Sequence, residues 1–380
     1  MPTPEPEHLR ANLSPPSMDE VAVLSRGVAS AVTPVGGMTD TQRLLMGAVF
    51  VSMTGHPATF DTPVIDPAGF ATLLSDRTLE FRTRIVQIMV LLGLVVRPLP
   101  SDVAQRITAF AYELGVEEGM LDVARRFAEG NLGLAEVDFD RNGYTAEWSD
   151  EDSDALHTSS RLATAWDAAV ADEALAQRWE ALERLPEATL GHQVTDFYRS
   201  RGFVYPGRPG SAPPLLAQHD WVHVLADYGT TVESELEVFA FIARANDDMR
   251  AFSLLAMVVS LFETGYLRTG AGLFEYSPGH LSEQGMATRV ADAMRRGAQC
   301  HGSVDLLRLD WFELADMSVA QARARFGVSA KSTDAIVAGS VGPWEVGGIS
   351  PFQVRAGIAL AVSSGLPYDA HGAKVAPESQ

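Results

Sequence analysis

Residues 215–241 read LLAQHDWVHVLADYGTTVESELEVFAF. His219 and His223 are four positions apart, so on a helix they stand about 40° apart around the axis and one turn apart along it. Two imidazoles placed in this way can bind one cation, which is why the pattern H-x-x-x-H recurs in zinc sites. Asp220 lies about 100° around the axis from His219, where it can reach the same ion or anchor an imidazole N–H. The segment therefore predicts a helix that carries a metal site.

The residues that follow predict a second helix that folds back on the first. Gly229 is expected to end the first helix, and a new helix is expected to begin near Thr230. Glu235 follows His223 after eleven intervening residues and can then turn toward the histidines. Two imidazoles and two carboxylates suit Zn²⁺ best, and they also suit Mn²⁺ or Fe²⁺. We predict that one ion is bound at about 2.0–2.2 Å by His219, Asp220, His223 and Glu235.

The rest of the chain also favours helices. Residues 84–96 are apolar enough for a buried helix that Pro98 ends, and Ser101 with Asp102 is expected to cap the next helix. Further helices are predicted at 163–182, 189–201, 251–263, 289–297 and 352–362, and two short ones within 306–328. Since no alternating strand pattern of useful length occurs, the predicted fold class is all-α.

Composition divides the chain into five parts. Residues 1–38 contain prolines at 2, 4, 6, 15, 16 and 34 and predict a flexible arm. Residues 39–135 predict a small all-helical domain, and the acidic residues 136–158 predict a linker. Residues 159–330 predict the metal-binding helical domain, which we expect to fold and bind metal by itself. Residues 331–380 predict a Gly-rich segment, a short helix and a flexible tail.

Charge and cysteine content exclude several classes of function. The formal net charge is -20, so the chain would be repelled by phosphate backbones and nucleic acid is not an expected partner. Cys300 is the only cysteine, which rules out an internal disulfide and a thiolate-rich metal site. We find no signal peptide, and the longest apolar stretches fall short of the roughly 20 residues that span a bilayer. We expect a cytoplasmic protein; peripheral contact with the inner face of the membrane and formation of a homodimer stay open.

The spacing H-D-x-x-H, eleven residues, then E resembles the signature of the coenzyme Q biosynthesis protein 4 family. HDWVHVL at 219–225 is similar to the family's HDLYHVL, and LPEATLG at 185–191 is similar to its LPEGTLG. Residues 306–311 and 319–328 resemble the closing segment, with FGV at 326–328 where the family has LGI. Three matches in the right order are more specific than any one of them.

The chain also departs from the family pattern. Ala188 replaces a glycine, and Gln193 and Val194 stand where the family usually has a tyrosine. Ser234 replaces the glycine that often precedes the ligand glutamate. None of these changes removes a metal ligand, but they indicate a divergent member and leave the substrate open.

The resemblance covers about residues 160–330, and it implies a set of functional properties. Proteins of this family are all-helical, bind a divalent ion, usually given as zinc, and hold a prenylated lipid between helices. They support C1 decarboxylation of a prenylated benzoate during ubiquinone assembly and partner with other quinone-biosynthesis proteins. A metal beside the ring can stabilise the charge left when CO₂ departs. The apolar residues 251–263 are expected to form either a core helix or the wall of a lipid channel.

Two functions from other classes stay open. The first is a non-catalytic protein that binds a quinone precursor and presents it to enzymes, because a metal site alone does not prove turnover. The second is a zinc hydrolase. Metalloproteases of that kind use H-E-x-x-H, and Asp220 is one methylene shorter than the glutamate that acts there as general base.

Overall fold

The computed structural model describes residues 15–116 except 61, 97 and 98; residues 171–245 except 210, 212 and 213; residues 283–368 except 302 and 303; and the isolated residues 255 and 281. These ranges form α-helices and one 3₁₀ helix, without a strand. A single antiparallel bridge joins Thr189 to Ser318. The all-α prediction is thus confirmed for the described residues. The predicted linker at 136–158, and the predicted helix at 251–263 apart from Leu255, lie outside them.

The helices follow one another along both halves of the chain. The first half contains α1 (Met18–Val32), α2 (Asp40–Thr54), α3 (Pro67–Leu73), α4 (Leu79–Leu94) and α5 (Ser101–Glu113). The second half contains α6 (Glu173–Leu182), α7 (Leu190–Arg201), α8 (Pro214–Ala226), α9 (Val232–Ala245), α10 (Met286–Ala298), a 3₁₀ helix (Trp311–Leu314), α11 (Val319–Phe326), α12 (Thr333–Val337) and α13 (Pro351–Ser363). None of the helices in the described part of the chain is both long and apolar enough to cross a membrane.

Helix α1 corrects the prediction of a flexible N-terminal arm for residues 18–32. Ser17 begins this helix as its N-cap, accepting a hydrogen bond from the backbone N–H of Glu20. Its apolar side chains are buried against α4 and α5, among them Val21, Leu24 and Val28. The prolines that suggest an arm all lie before or after the helix, at 2, 4, 6, 15, 16 and 34, where they do not interrupt it.

The start of α5 is a second correction. Ser101 and Asp102 were expected to cap this helix, but its N-cap is Pro100, and no side chain caps it. Ser101 is already the first helical residue, because the extended backbone of Pro100 leads directly into the helix. The Asp102 carboxylate instead pairs with Arg106 at 2.6 Å, one turn along the same helix.

The two halves of the molecule pack on each other through α2 and α10. At this contact Ser52 Oγ donates to Met294 Sδ at 3.4 Å. Buried apolar residues of both halves belong to one cluster. The division into domains stays a prediction, and the contact means that removing the N-terminal residues would expose side chains of α10 that are buried here.

The predicted C-terminal helix is present as α13, and it packs on α7. The two helices approach so closely that a Cβ at Gly202 would collide with the backbone of Ala356, and a Cβ at Gly357 with the backbone of Ser200. Gly202 also has a φ of 71°, which ends α7 in the left-handed conformation that glycine adopts without strain. The segment up to residue 368 therefore contributes to the structure around α7.

Candidate metal site

Three of the four predicted ligands converge between α8 and α9. His219 and His223 lie on α8, and Glu235 lies in the first turn of α9. His219 Nε2 is 3.5 Å from Glu235 Oε2, and His223 Nε2 is 3.3 Å from Glu235 Oε1. One ligand atom from each residue lies within 4.8 Å of the other two. The helix-turn-helix geometry inferred from the sequence therefore brings these side chains to one point.

The cluster is removed from solvent. His219 is 3% exposed, His223 is 0% exposed and Glu235 is 1% exposed. Burial acts to raise the pKa of Glu235, but the two histidines outweigh it and lower this pKa to about 2. The site therefore presents an ionised carboxylate to two imidazoles.

Four polar atoms of this cluster have no hydrogen-bond partner among the described residues. Among the described residues, neither carboxylate oxygen of Glu235 and neither ring nitrogen of His223 has a hydrogen-bond partner. Buried polar groups are normally satisfied, and leaving one unpaired costs about 1–3 kcal/mol. Two ligands of a tetrahedral zinc ion with bonds of about 2.1 Å are about 3.4 Å apart, which agrees with both histidine-to-glutamate separations. The donor set and its spacing therefore fit a divalent cation.

Asp220 lies beside the cluster rather than within it. Its Oδ1 is 3.6 Å from His219 Nε2, while its Oδ2 accepts a hydrogen bond of 2.5 Å from the hydroxyl of Tyr198. Burial raises the pKa of Asp220, and it also raises that of Tyr198, which the neighbouring carboxylate raises further. The structure thus places one Asp220 oxygen on Tyr198 and the other near His219. Direct ligation by Asp220 stays a prediction.

Tyr198 was not identified as a site residue from the sequence. It lies on α7, and its hydroxyl donates to a carboxylate 22 positions further along the chain. No local pattern carries such information, because the contact depends on how α7 packs on α8.

Aromatic rings hold both imidazoles. The ring of Phe197 stacks on His223, with centroids 5.4 Å apart and an interplanar angle of 29°. The ring of Phe239 stacks on His219, with centroids 5.2 Å apart and an interplanar angle of 27°. Phe239 lies one turn after Glu235 on α9, so the same helix supplies a carboxylate and a ring that orients a histidine.

Two arginines bind the carbonyl end of α8. Arg296 Nη2 donates to the carbonyl of Ala226 at 2.8 Å. Arg323 donates through Nε to Leu225 at 2.8 Å and through Nη2 to Val224 at 3.2 Å. The last carbonyls of a helix lack partners within it and carry partial negative charge, so arginine side chains suit them. These bonds fix the C-terminal turn of the helix that bears the histidines.

The end of α8 corrects the prediction for Gly229. The helix ends at Ala226, and Asp227 adopts the left-handed conformation with a φ of 66°. Gly229 has another role, because a Cβ there would lie 2.7 Å from the Cα of Gly348. Glycine is thus needed at 229 for close contact between the α8–α9 turn and the loop before α13.

The segments that resemble the coenzyme Q biosynthesis protein 4 family lie next to each other in space. The backbone N–H of Val319 donates to the carbonyl of Ala188 at 3.2 Å, and the N–H of Leu190 donates to the carbonyl of Met317 at 2.8 Å. Arg323, in the closing segment, binds the end of α8 as described above. Residues 185–191, 219–225 and 319–328 therefore form one structural unit around the site.

Comparisons with known proteins find little. No family model matches the chain, and no curated protein matches it. Among solved structures, the chain is similar to a Nostoc punctiforme protein described as a "Putative ubiquinone biosynthesis protein", with 21% sequence identity and a TM-score of 0.31. The match covers 56% of this chain and 97% of that one. A likeness this weak carries no argument about function.

Proposed function

We propose that this chain is a metal-dependent protein of prenylated-quinone biosynthesis that supports C1 decarboxylation of a polyprenyl benzoate. The observation that supports this most is the buried cluster of two imidazoles and one carboxylate. Its polar atoms include four without hydrogen bonds among the described residues. Two histidines and a glutamate are a ligand set that catalytic zinc takes when a further position is kept for water or substrate.

The roles of the side chains follow from their positions. His219, His223 and Glu235 would hold the ion, with Zn²⁺ the first candidate. A bound divalent cation would supply Lewis acidity that stabilises the charge left on the ring as CO₂ departs. Tyr198 donates to Asp220 and so fixes this carboxylate beside His219. Burial of the site keeps bulk water away, which strengthens electrostatic interactions within it.

The substrate class rests on the sequence resemblance. The three segments that carry it form one unit around the cluster, as a shared function requires. The apolar residues 251–263, proposed as a core helix or as the wall of a lipid channel, fall outside the described residues except for Leu255. Other quinone-biosynthesis proteins, and the inner face of the membrane, are the partners that belong to the same proposal.

A decarboxylation assay with purified full-length protein tests the proposal. The protein is loaded with Zn²⁺ and given a prenylated hydroxybenzoate labelled at the carboxyl carbon, and released CO₂ is counted. We expect release by the wild type and none by His223→Ala, which should keep its fold because alanine is a strong helix former. His192→Ala is the control, since His192 lies on α7 beside Asp196 and outside the cluster.

The outcomes separate catalysis from the non-catalytic role. A wild type that retains zinc and binds the prenylated compound without releasing CO₂ would indicate a carrier or scaffold. Full rescue of a strain that lacks its own family member by metal-free His223→Ala would contradict a metal-dependent reaction.

A further inference from the structure

Arg201, the last residue of α7, is completely buried, and each of its three guanidinium nitrogens donates hydrogen bonds. Nε donates to Thr230 Oγ1 at 2.9 Å, and Nη1 donates to Ser200 Oγ at 2.9 Å. Nη2 donates to two carbonyls of the loop before α13, Pro343 at 2.9 Å and Gly348 at 3.0 Å. Burial lowers the pKa of Arg201 to about 9, so the side chain stays charged at neutral pH.

The guanidinium of Arg201 reaches the metal cluster through an aromatic ring. Its central carbon lies 3.9 Å from the ring centroid of Phe197. Phe197 in turn stacks on His223, with centroids 5.4 Å apart. A change in the position of Arg201 would therefore be passed to this imidazole through a single intervening side chain.

Arg201 also touches the turn that leads to Glu235. Thr230, which accepts from Arg201, donates through its own hydroxyl to Gln353 Oε1 at 2.5 Å. The neighbouring Thr231 carbonyl accepts the backbone N–H of Glu235 at 2.9 Å. The Arg201 side chain thus contacts three parts of the structure: the Phe197 ring that stacks on His223, the turn before α9, and the loop before α13.

We infer that Arg201 is a positioning residue of the metal site, which fixes His223 relative to Glu235 by holding Phe197 and Thr230 at once. The inference rests on the proposed metal site. It adds that residues 343–353, outside the stretch that resembles a known family, belong to the support of that site. Mutation of a residue that orients a metal ligand typically lowers metal affinity about 10–100-fold. Arg201 would act on the ligands indirectly, by fixing Phe197 and Thr230.

The test uses full-length protein and Co²⁺, whose visible absorption reports the geometry of its ligands. Arg201→Lys keeps the charge but cannot form bonds to Thr230 and to both carbonyls together. We expect Co²⁺ affinity to fall about tenfold and the absorption bands to shift. Arg208→Lys is the matched control, because Arg208 pairs at the surface with Glu173 and Glu180. It should keep the wild-type spectrum and affinity.

A second variant covers the case in which Arg201→Lys does not fold. Phe197→Leu leaves every hydrogen bond to the Arg201 side chain in place but removes the ring stacked on His223, so it should also shift the Co²⁺ bands. A folded Arg201→Lys or Phe197→Leu protein with wild-type affinity and bands would overturn the positioning role while leaving the metal site intact. A wild type that binds no Co²⁺ would instead refute the proposed site itself, and the positioning role with it.

Discussion

Glu235 and Glu237 are two buried carboxylates on the same helix, and they have different partners. They lie two positions apart on α9 and so point about 200° away from each other around its axis. Glu237 accepts a hydrogen bond of 2.6 Å from Arg289 on α10. Glu235 faces two histidine nitrogens and accepts no hydrogen bond from any described residue. One charge is neutralised within the fold, whereas the other is arranged with donors that suit a cation.

This difference shows why burial alone does not identify a functional carboxylate. A buried ion pair such as that of Glu237 with Arg289 is an internal contact of the fold, and breaking it costs stability. The Glu235 carboxylate beside two imidazoles is instead a set of donors that a divalent cation can bind. We therefore expect mutation of Glu235 to weaken metal binding, and mutation of Glu237 to lower the stability of the fold.

The largest expected effect is on metal binding. Glu235→Gln should abolish stoichiometric Zn²⁺ binding, because the anionic ligand is lost. Glu237→Gln is the matched control and should bind Zn²⁺ normally, yet unfold more easily because Arg289 loses its anion. Isothermal titration with Zn²⁺ and denaturant unfolding in chelator measure the two properties. Equal Zn²⁺ affinities for the two variants would contradict the distinction.

The next effect is on stability. Arg289→Met should lower the unfolding free energy by about 3–5 kcal/mol, because Glu237 is left buried and charged without its partner. Adding Glu237→Gln to this variant should restore part of the loss, since the unpaired charge is then removed. Urea denaturation of the single and double variants gives the result. If folded Arg289→Met bound Zn²⁺ as weakly as Glu235→Gln does, the result would contradict the assignment of Glu237 to the internal ion pair alone.

Asp220→Asn should have an intermediate effect. If Asp220 acts by anchoring His219, as its contacts with that ring and with Tyr198 favour, Zn²⁺ affinity should fall about 10–100-fold. If it binds the ion directly, the loss should match that of Glu235→Gln. Titration of both variants in one buffer decides between these roles.

Tyr198→Phe should have the smallest effect on metal binding, less than about tenfold, because the Asp220 carboxyl stays beside His219 and loses one donor only. Combined with Asp220→Asn, it should add little further loss, since Tyr198 acts on the site through its hydrogen bond to residue 220. Additive losses in Zn²⁺ affinity would show that Tyr198 acts on the site by another route.

The sequence predicted the part of the site that helical periodicity determines. The spacing of His219 and His223 places them on one face of α8, and a turn near Thr230 brings Glu235 back to them. The same reasoning failed at the helix ends. Asp227, rather than Gly229, takes the left-handed conformation, and the need for glycine at 229 comes from its contact with the loop before α13.

The support of the site could not be predicted, because it consists of contacts between residues far apart in the chain. Tyr198 on α7 donates to Asp220 on α8, and Arg201 donates to backbone carbonyls 142 and 147 positions further along the chain. Such pairs leave no spacing pattern. Helix α1 differs from the sequence prediction for another reason: the prolines that favour an arm lie outside residues 18–32, whose apolar side chains have helical spacing.

X-ray absorption at the zinc edge of the zinc-loaded full-length protein tests the central claim most directly. We predict a first shell of nitrogen and oxygen only, with outer-shell scattering from two imidazoles, and loss of one imidazole or of bound zinc in His223→Ala. A wild-type spectrum with fewer than two imidazoles, or a wild-type protein that retains no zinc, would contradict a site built from His219, His223 and Glu235.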